Sequence, residues 1–310
     1  MKKIIKEFND KIKNGKIEFH YKSCPCSSTS FTKLFNYDRY LIWQPVVICK
    51  GCGLIQSNPQ MTDEEYSKFY TSDLYREIYE DKDFNNTIID QYKNTNQIFK
   101  YLEPLLIENN FNEIIEFGCA GGWNLVPFKN NNYNVVGYDY NHTLTKYGRD
   151  NFNLDLRQGS FDDVVGDGRK YDVVILNHVI EHFTDLLGNL KQISKIIKKD
   201  GIIYTGIPNI EIFGRGQFQN AHTYYFTPKT FCHYMQRAGF EAIKFGPDES
   251  IHMHGVFKTT KTKNNIKNIS LNGEYNKRLK QILLGVLKIR ITEFLDLLNI
   301  LSLVKKIMRR

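Results

Sequence analysis

No stretch of this 310-residue chain repeats another and no low-complexity tract interrupts it, so section boundaries come from changes in pattern. A leading apolar run is missing too. Residues 1–10 are charged throughout and lack the small-residue cleavage site of a secretory signal, so a cytoplasmic setting is expected. The most apolar region, near the C-terminus, is interrupted by Lys288, Arg290, Glu293 and Asp296, which disfavours a bilayer crossing. Cysteine is scarce: there are six, and in a reducing compartment these are expected as ligands or buried thiols rather than disulfides.

Basic charge is missing where nucleic-acid binding would need it. The formal net charge is +8, but residues 255–310 hold 13 Lys and Arg against 3 Asp and Glu, leaving 29 against 31 elsewhere. Phosphate-backbone binding requires a clustered basic working face, so a nucleic-acid partner is not expected.

What is present divides into four sections. Residues 1–60 hold two cysteine pairs, and 61–108 read as a helical connector, with Thr62 before Asp63-Glu64-Glu65 as an N-cap and acidic first turn. Residues 109–258 alternate strand and helix: the apolar runs Glu113 to Phe117, Asn134 to Asp139, Tyr171 to Asn177 and Gly201 to Ile207 imply parallel βαβ units. Phe240 to Phe245 and His252 to Phe257 suggest a closing hairpin. Residues 259–310 read as a polar linker and a long amphipathic helix over 281–310.

The run Ile114-Ile115-Glu116-Phe117-Gly118-Cys119-Ala120-Gly121-Gly122 is a strand followed by a small-residue turn, the geometry that lets a ligand touch backbone amides. A dinucleotide fingerprint would want glycines at 118, 120 and 123, where Ala120 and Trp123 stand, so a nicotinamide or flavin reading loses ground. Asp139 ends the next strand, where a carboxylate can accept both ribose hydroxyls of an adenosyl group.

Here the chain resembles the class I methyltransferases. The resemblance implies a doubly wound, mostly parallel, seven-stranded Rossmann-like α/β sheet and S-adenosylmethionine as cofactor. It maps Glu116 near the cofactor's amino-acid end, Gly118, Ala120 and Gly122 onto the turn, Asp139 onto the ribose, and Tyr140, Ser160 and Phe161 around the adenine, with Asn177 at the end of the fourth strand. Lys199-Asp200-Gly201, Pro208-Asn209, Phe226-Thr227-Pro228 and Ala238-Gly239-Phe240 are further matches.

After the fourth strand come His178, Glu181 and His182, which share a face if that segment is helical. Methyl transfer from a sulfonium needs an aligned nucleophile, often with its proton removed, and histidine titrates near working pH. The motif resembles the Leu-Glu-His stretch of ubiquinone-pathway O-methyltransferases, where such residues can hold a divalent metal; His178 stands here in place of the first acid. His222 is an alternative base with Tyr225 as a relay, after the loop Phe213-Gly214-Arg215-Gly216.

Cys24-Pro25-Cys26 and Cys49-Lys50-Gly51-Cys52-Gly53 have the look of a zinc knuckle. The first pair is one residue tighter than Cys-x-x-Cys, which leaves His20 as a substitute ligand. With Leu54, Asn58-Pro59 and Phe69-Tyr70, this module resembles that of bacterial methyltransferases of sugar and polysaccharide pathways. The resemblance implies methyl transfer to a hydroxyl or activated carbon of a sugar nucleotide or glycan precursor. A quinone-like small molecule, or a non-catalytic binding module, is the alternative. For the tail, peripheral contact with the inner membrane face and dimerisation through 281–310 stay equally open.

Overall fold

The computed structural model describes residues 2–72, 74–79, 96–166, 168–212, 217–247, 251–260 and 269–297. The loop Phe213-Gly214-Arg215-Gly216 and the last part of the expected tail helix, 298–310, lie outside them.

The N-terminal part runs α1 (Lys2–Lys13), β1 (Phe19–His20), β2 (Phe31–Tyr37), β3 (Trp43–Cys49), β4 (Ile55–Ser57), β5 (Gln60–Met61), α2 (Asp63–Thr71) and α3 (Leu74–Tyr79). Thr62 caps α2 by accepting from the Glu65 amide. The chain then alternates through α4 (Asn96–Asn109), β6 (Glu113–Phe117), α5 (Val126–Asn130), β7 (Asn134–Asp139), α6 (His142–Phe152), β8 (Asp155–Gln158), α7 (Phe161–Gly166), β9 (Tyr171–Asn177), α8 (Leu186–Ile196) and β10 (Ile197–Pro208). β11 (Tyr224–Tyr225), α9 (Pro228–Arg237), β12 (Phe240–Pro247), β13 (His252–Thr259) and α10 (Glu274–Leu297) complete it.

The main sheet has the order β12-β13-β10-β9-β6-β7-β8. The strands from β10 to β8 pair in parallel, and the antiparallel β12–β13 hairpin closes one edge. Ile114 and Ile115 of β6 and Val173 to Leu176 of β9 are fully buried, as befits strands covered on both faces. β10 starts ahead of the expected Gly201, and its register to β9 shifts between Ile197 and Ile202.

The cysteine-bearing part is not a separate lobe. β2, β3 and β4 form an antiparallel sheet whose fourth strand is β11, pairing Tyr224 with Gln56 and Tyr225 with Ile55. Asp38 adds to this by accepting from the Asn220 amide, and Gln44 by donating to the carbonyls of Asn220 and His222. Because α2 follows directly from β5, the join places α2 over the carboxyl ends of the main sheet.

The turn after β6 uses the left-handed region at alternate residues: φ is 64° at Gly118, 49° at Ala120 and 75° at Gly122. At Gly118 a Cβ would stand 2.9 Å from the Val179 side chain, so glycine is required twice over. Ala120 costs about 1–2 kcal/mol in that conformation, and its amide is held by Asp139 Oδ2 at 2.8 Å.

Within α6, a Cβ on Gly148 would meet the Gly121 carbonyl oxygen at 2.2 Å and Leu156 Cδ1 at 2.4 Å. Glycine there lets the helix press on the turn. Gly148→Ala is therefore expected to destabilise the fold by about 2 kcal/mol through overpacking against backbone, read as a lower Tm in thermal denaturation; an unchanged Tm would contradict the close approach.

Candidate active site

A cleft of ≈ 510 Å³ opens at the carboxyl ends of β6, β7 and β9, the place where open α/β sheets bind ligands. Gly118, Ala120, Asp139, Tyr140, Ser160, Asn177, His178 and His182 all line it. Gly122 and Glu116 lie beneath the surface, and α7 begins at Phe161, whose side chain is outside the described set.

Asp139 sits at the centre of the floor. One carboxylate oxygen accepts from the Ala120 amide at 2.8 Å and the other from the Asn141 amide at 2.7 Å. An ionised carboxylate has about four acceptor positions, more than these two amides use. Beside it, Asp163 Oδ2 accepts from both the amide and the hydroxyl of Ser160, at 2.6 and 2.7 Å.

Glu116 is 1% exposed. Asn124 Nδ2 donates to its Oε1 at 2.7 Å, and Oε2 has no hydrogen-bond partner among the described residues. Burial pushes the carboxyl up to about 8, against the Asn124 hydrogen bond. A buried acid with one unused oxygen suits an incoming ammonium group.

The segment after β9 is not the helix on which a shared face was expected. His178 takes a left-handed φ of 57°, its amide bonds the Gly206 carbonyl at 2.7 Å, and only Ile180–His182 form a 3₁₀ turn. His178 and Glu181 still meet, with Nδ1 3.2 Å from Oε1. The imidazole is 40% exposed, opening on the cleft, while the carboxylate is 1% exposed behind it. Burial opposes the imidazolium, but the hydrogen bond and charge of Glu181 outweigh it and hold His178 above the ordinary imidazole value. Burial likewise opposes ionisation of Glu181, yet its hydrogen bond and ion pairing with His178 hold the carboxyl well below the usual carboxylate range.

His182 faces the other way. Its Nδ1 lies 2.9 Å from the Ala221 carbonyl and 2.8 Å from the Tyr70 hydroxyl. A carbonyl only accepts, so the tautomer that satisfies it carries the proton on Nδ1. Burial lowers the pKa of His182, and that of His222 further. Burial thus favours the neutral form of both rings.

His222 and Tyr225 stand behind the wall rather than in it. The His222 ring accepts from the Gln219 amide and lies edge-on to His182, and the Tyr225 hydroxyl donates to the Gln219 carbonyl at 3.2 Å. The β4–β11 pairing draws both inward, so neither reaches the cleft surface. One ligand atom each from Glu181, His182 and His222 falls within 4.8 Å of the others, a group able to hold a metal ion.

The residues that sequence reasoning missed come from α2 and α3, which cap the cleft. Tyr66, Tyr70 and Tyr75 line the cleft opposite the turn, and the Tyr70 ring lies 6.0 Å from that of Tyr140 at 12°. Tyr66 and Tyr70 are one helical turn apart, a signal of a shared face but not of what it faces. Asp63, Asp139 and Asp162 are the carboxylates of the lining, which includes no Lys or Arg among the described residues.

The cysteine sulfurs converge. Those of Cys24, Cys26, Cys49 and Cys52 lie within 4.8 Å of one another, with Cys24 to Cys52 at 3.4 Å and Cys26 to Cys49 at 3.6 Å. Disulfides would need about 2.05 Å. A tetrahedral thiolate site with metal–sulfur bonds of ~2.3 Å spaces its sulfurs by roughly 3.8 Å, so the short Cys-x-Cys spacing still reaches and His20 is not needed. Tyr234 of α9 places its hydroxyl 3.1 Å from Cys52 Sγ, fastening the cluster to the main domain.

Residues 91–244 match the family model described as a methyltransferase domain. This segment is a methyltransferase domain. A ubiquinone biosynthesis O-methyltransferase of Bartonella tribocorum is 24% identical over 102 residues, covering 31% of this chain and 41% of that protein. One of Pelagibacter ubique is 28% identical over 102 residues, 31% of this chain and 42% of that protein. The chain thus spans less than half the length of these curated relatives. Magnesium protoporphyrin IX methyltransferase of Synechocystis PCC 6803, solved with bound SAH, aligns with a TM-score of 0.48 at 14% identity over 63% of this chain and 99% of that one.

The cofactor of a methyltransferase domain of this architecture is S-adenosylmethionine, and the residues suit it: the Asp139 carboxylate and the glycine turn line the cleft, and Glu116 lies just beneath it with Oε2 lacking a hydrogen-bond partner among the described residues. The ion pair next to this site is testable on the free protein. In an NMR titration of the histidine rings, His178 should titrate above the ordinary imidazole value, and Glu181→Gln should bring it down; an unshifted resonance in the variant would show that Glu181 does not govern it.

Proposed function

We propose that the chain methylates a hydroxyl of a small, ring-bearing acceptor that carries no phosphate, using S-adenosylmethionine and His178 as base. The observation that carries this is the cleft wall, which combines three tyrosines from the cap with three carboxylates and, among the described residues, no Lys or Arg. Such a wall suits a cationic sulfonium cofactor and a flat, uncharged acceptor. A sugar nucleotide, the first expectation from the cysteine module, carries a diphosphate that this wall would repel rather than bind. The relatives named as ubiquinone O-methyltransferases support an oxygen on an aromatic ring as the acceptor.

When bound, S-adenosylmethionine supplies a methyl group made electrophilic by its sulfonium. Asp139, which already orders the Ala120 and Asn141 amides, would hold the ribose hydroxyls. Glu116, held by Asn124 beneath the cleft floor, would offer Oε2 to the ammonium end and would ionise in doing so. Tyr70 and Tyr140, nearly parallel, restrict planar groups to one orientation. His178 takes the acceptor's hydroxyl proton on Nε2 while Nδ1 stays bonded to Glu181, whose carboxylate stabilises the imidazolium. His182 keeps its Nδ1 proton on the Ala221 carbonyl and holds Tyr70 in place.

We further propose a structural zinc ion on Cys24, Cys26, Cys49 and Cys52. It would fix β3 and β4 against α9 and so set the position of the cap that carries Tyr66 and Tyr70.

Calorimetric titration with S-adenosylmethionine is the first test. Asp139→Ala should weaken binding by ~100-fold, the value of two charge-assisted hydrogen bonds, and binding near neutral pH should release a proton as Glu116 ionises, seen as a buffer-dependent enthalpy. Absence of binding would overturn the assignment. With labelled cofactor, catechol-type acceptors should be methylated and nucleotide sugars not; the reverse would return the sugar reading. Since His178 must be neutral to act, kcat/KM should rise with pH through its elevated pKa, and Glu181→Gln should move that limb to lower pH. Metal analysis should find one zinc per chain, and Cys49→Ser should lose it with a lower Tm; an unmetallated protein of equal stability would remove the zinc.

A further inference from the structure

The helix α10 is anchored on one side. Ile282 is buried, and Leu279 and Val286 pack with it against Val46 and Ile48 of β3. Arg278 pairs with Glu274 at 2.7 Å and with Glu211 at 2.6 Å, and the Gln281 amide donates to the Ile210 and Glu211 carbonyls. The helix is therefore held by its inner face, and the Arg278 pair with Glu211 and the Gln281 hydrogen bonds fix its orientation.

The outer face is apolar. Leu283 is 59% exposed, Leu284 55%, Leu287 54% and Ile291 50%. These positions recur on successive turns, so they form one stripe rather than scattered contacts.

The charge around that stripe has a single sign. Lys277 and Lys280 are exposed. At ~100° per residue position 280 falls within the stripe, and 277 falls along one edge of it. No Asp or Glu occurs from Tyr275 through Thr292. Positions 293 and 296, which carry the next acids, lie across the helix axis from the stripe. A second copy offering the same face would set lysines against lysines around the apolar contact. An anionic lipid surface complements both parts at once, since its phosphates accept the ammonium groups and its acyl boundary takes the leucines.

We propose that the outer face of α10 seats this protein on the surface of an anionic lipid bilayer. The helix lies in the interface and does not cross it; among the described residues no helix is long and apolar enough to span a membrane. None of the stripe residues lines the cleft, so the proposal stands independently of the methyl acceptor. It bears on function all the same, because the ion pair of Arg278 with Glu211 ties the docked helix to the segment that follows β10.

The test is co-sedimentation of the full chain with vesicles of phosphatidylcholine alone and of phosphatidylcholine with phosphatidylglycerol. Binding is expected to the anionic vesicles only. Leu284→Gln with Leu287→Gln should abolish it, and Lys277→Gln with Lys280→Gln should weaken it by ~30-fold, from about 1 kcal/mol per lysine at such a surface. Retained S-adenosylmethionine affinity and Tm in both variants would show that the fold is intact. Equal binding to neutral vesicles, no binding at all, or unaltered binding by the variants overturns the proposal. So does a dimer in light scattering that the leucine variant dissociates, which would assign the face to a second copy.

Discussion

The geometry of the cleft depends on the carboxylate of Asp139. Its two oxygens hold the amides of Ala120 and Asn141, so one side chain pins the turn after β6 to the end of β7. That bond makes the left-handed backbone at Ala120 affordable in a residue with a Cβ. It also leaves the floor of the cleft lined by an acceptor pair of fixed spacing. Gly148 supports the same point from below by letting α6 touch the Gly121 carbonyl.

The second constraint is the shared sheet. By adding β11 to β4, the chain makes the cysteine-bearing part and the main domain a single body, and the Cys52 contact with Tyr234 reinforces the join. Cap and floor are consequently held in register, with Tyr70 reaching across to both Tyr140 and His182. Electrostatics then sort the imidazoles. Glu181 favours the imidazolium of His178, the ring bonded to it, whereas burial lowers the pKa of His182 and His222.

Much of this was legible beforehand because it is local. Apolar runs of strand length, Thr62 as a helix cap and the small-residue turn are each decided within a few residues of chain. The spacing of cysteines marked a ligand cluster, although the tight first pair gave no sign that all four sulfurs would converge without His20. The histidine stretch was found but its shape was not: a helical reading put His178, Glu181 and His182 on one face, and the left-handed His178 instead sends the two histidines in different directions.

By itself, then, the sequence determined the parallel sheet, the cofactor turn with its carboxylate, and which side chains could do acid and base chemistry, because hydrophobic period, turn residues and spacing act over short range. Only the tertiary structure decided that His178 opens on the cleft while His222 and Tyr225 sit behind it, that the cap tyrosines complete the wall, and that the leucines of α10 face outward. Those facts follow from contacts between segments far apart in the chain, where a residue's neighbours are chosen by packing rather than by the residues beside it.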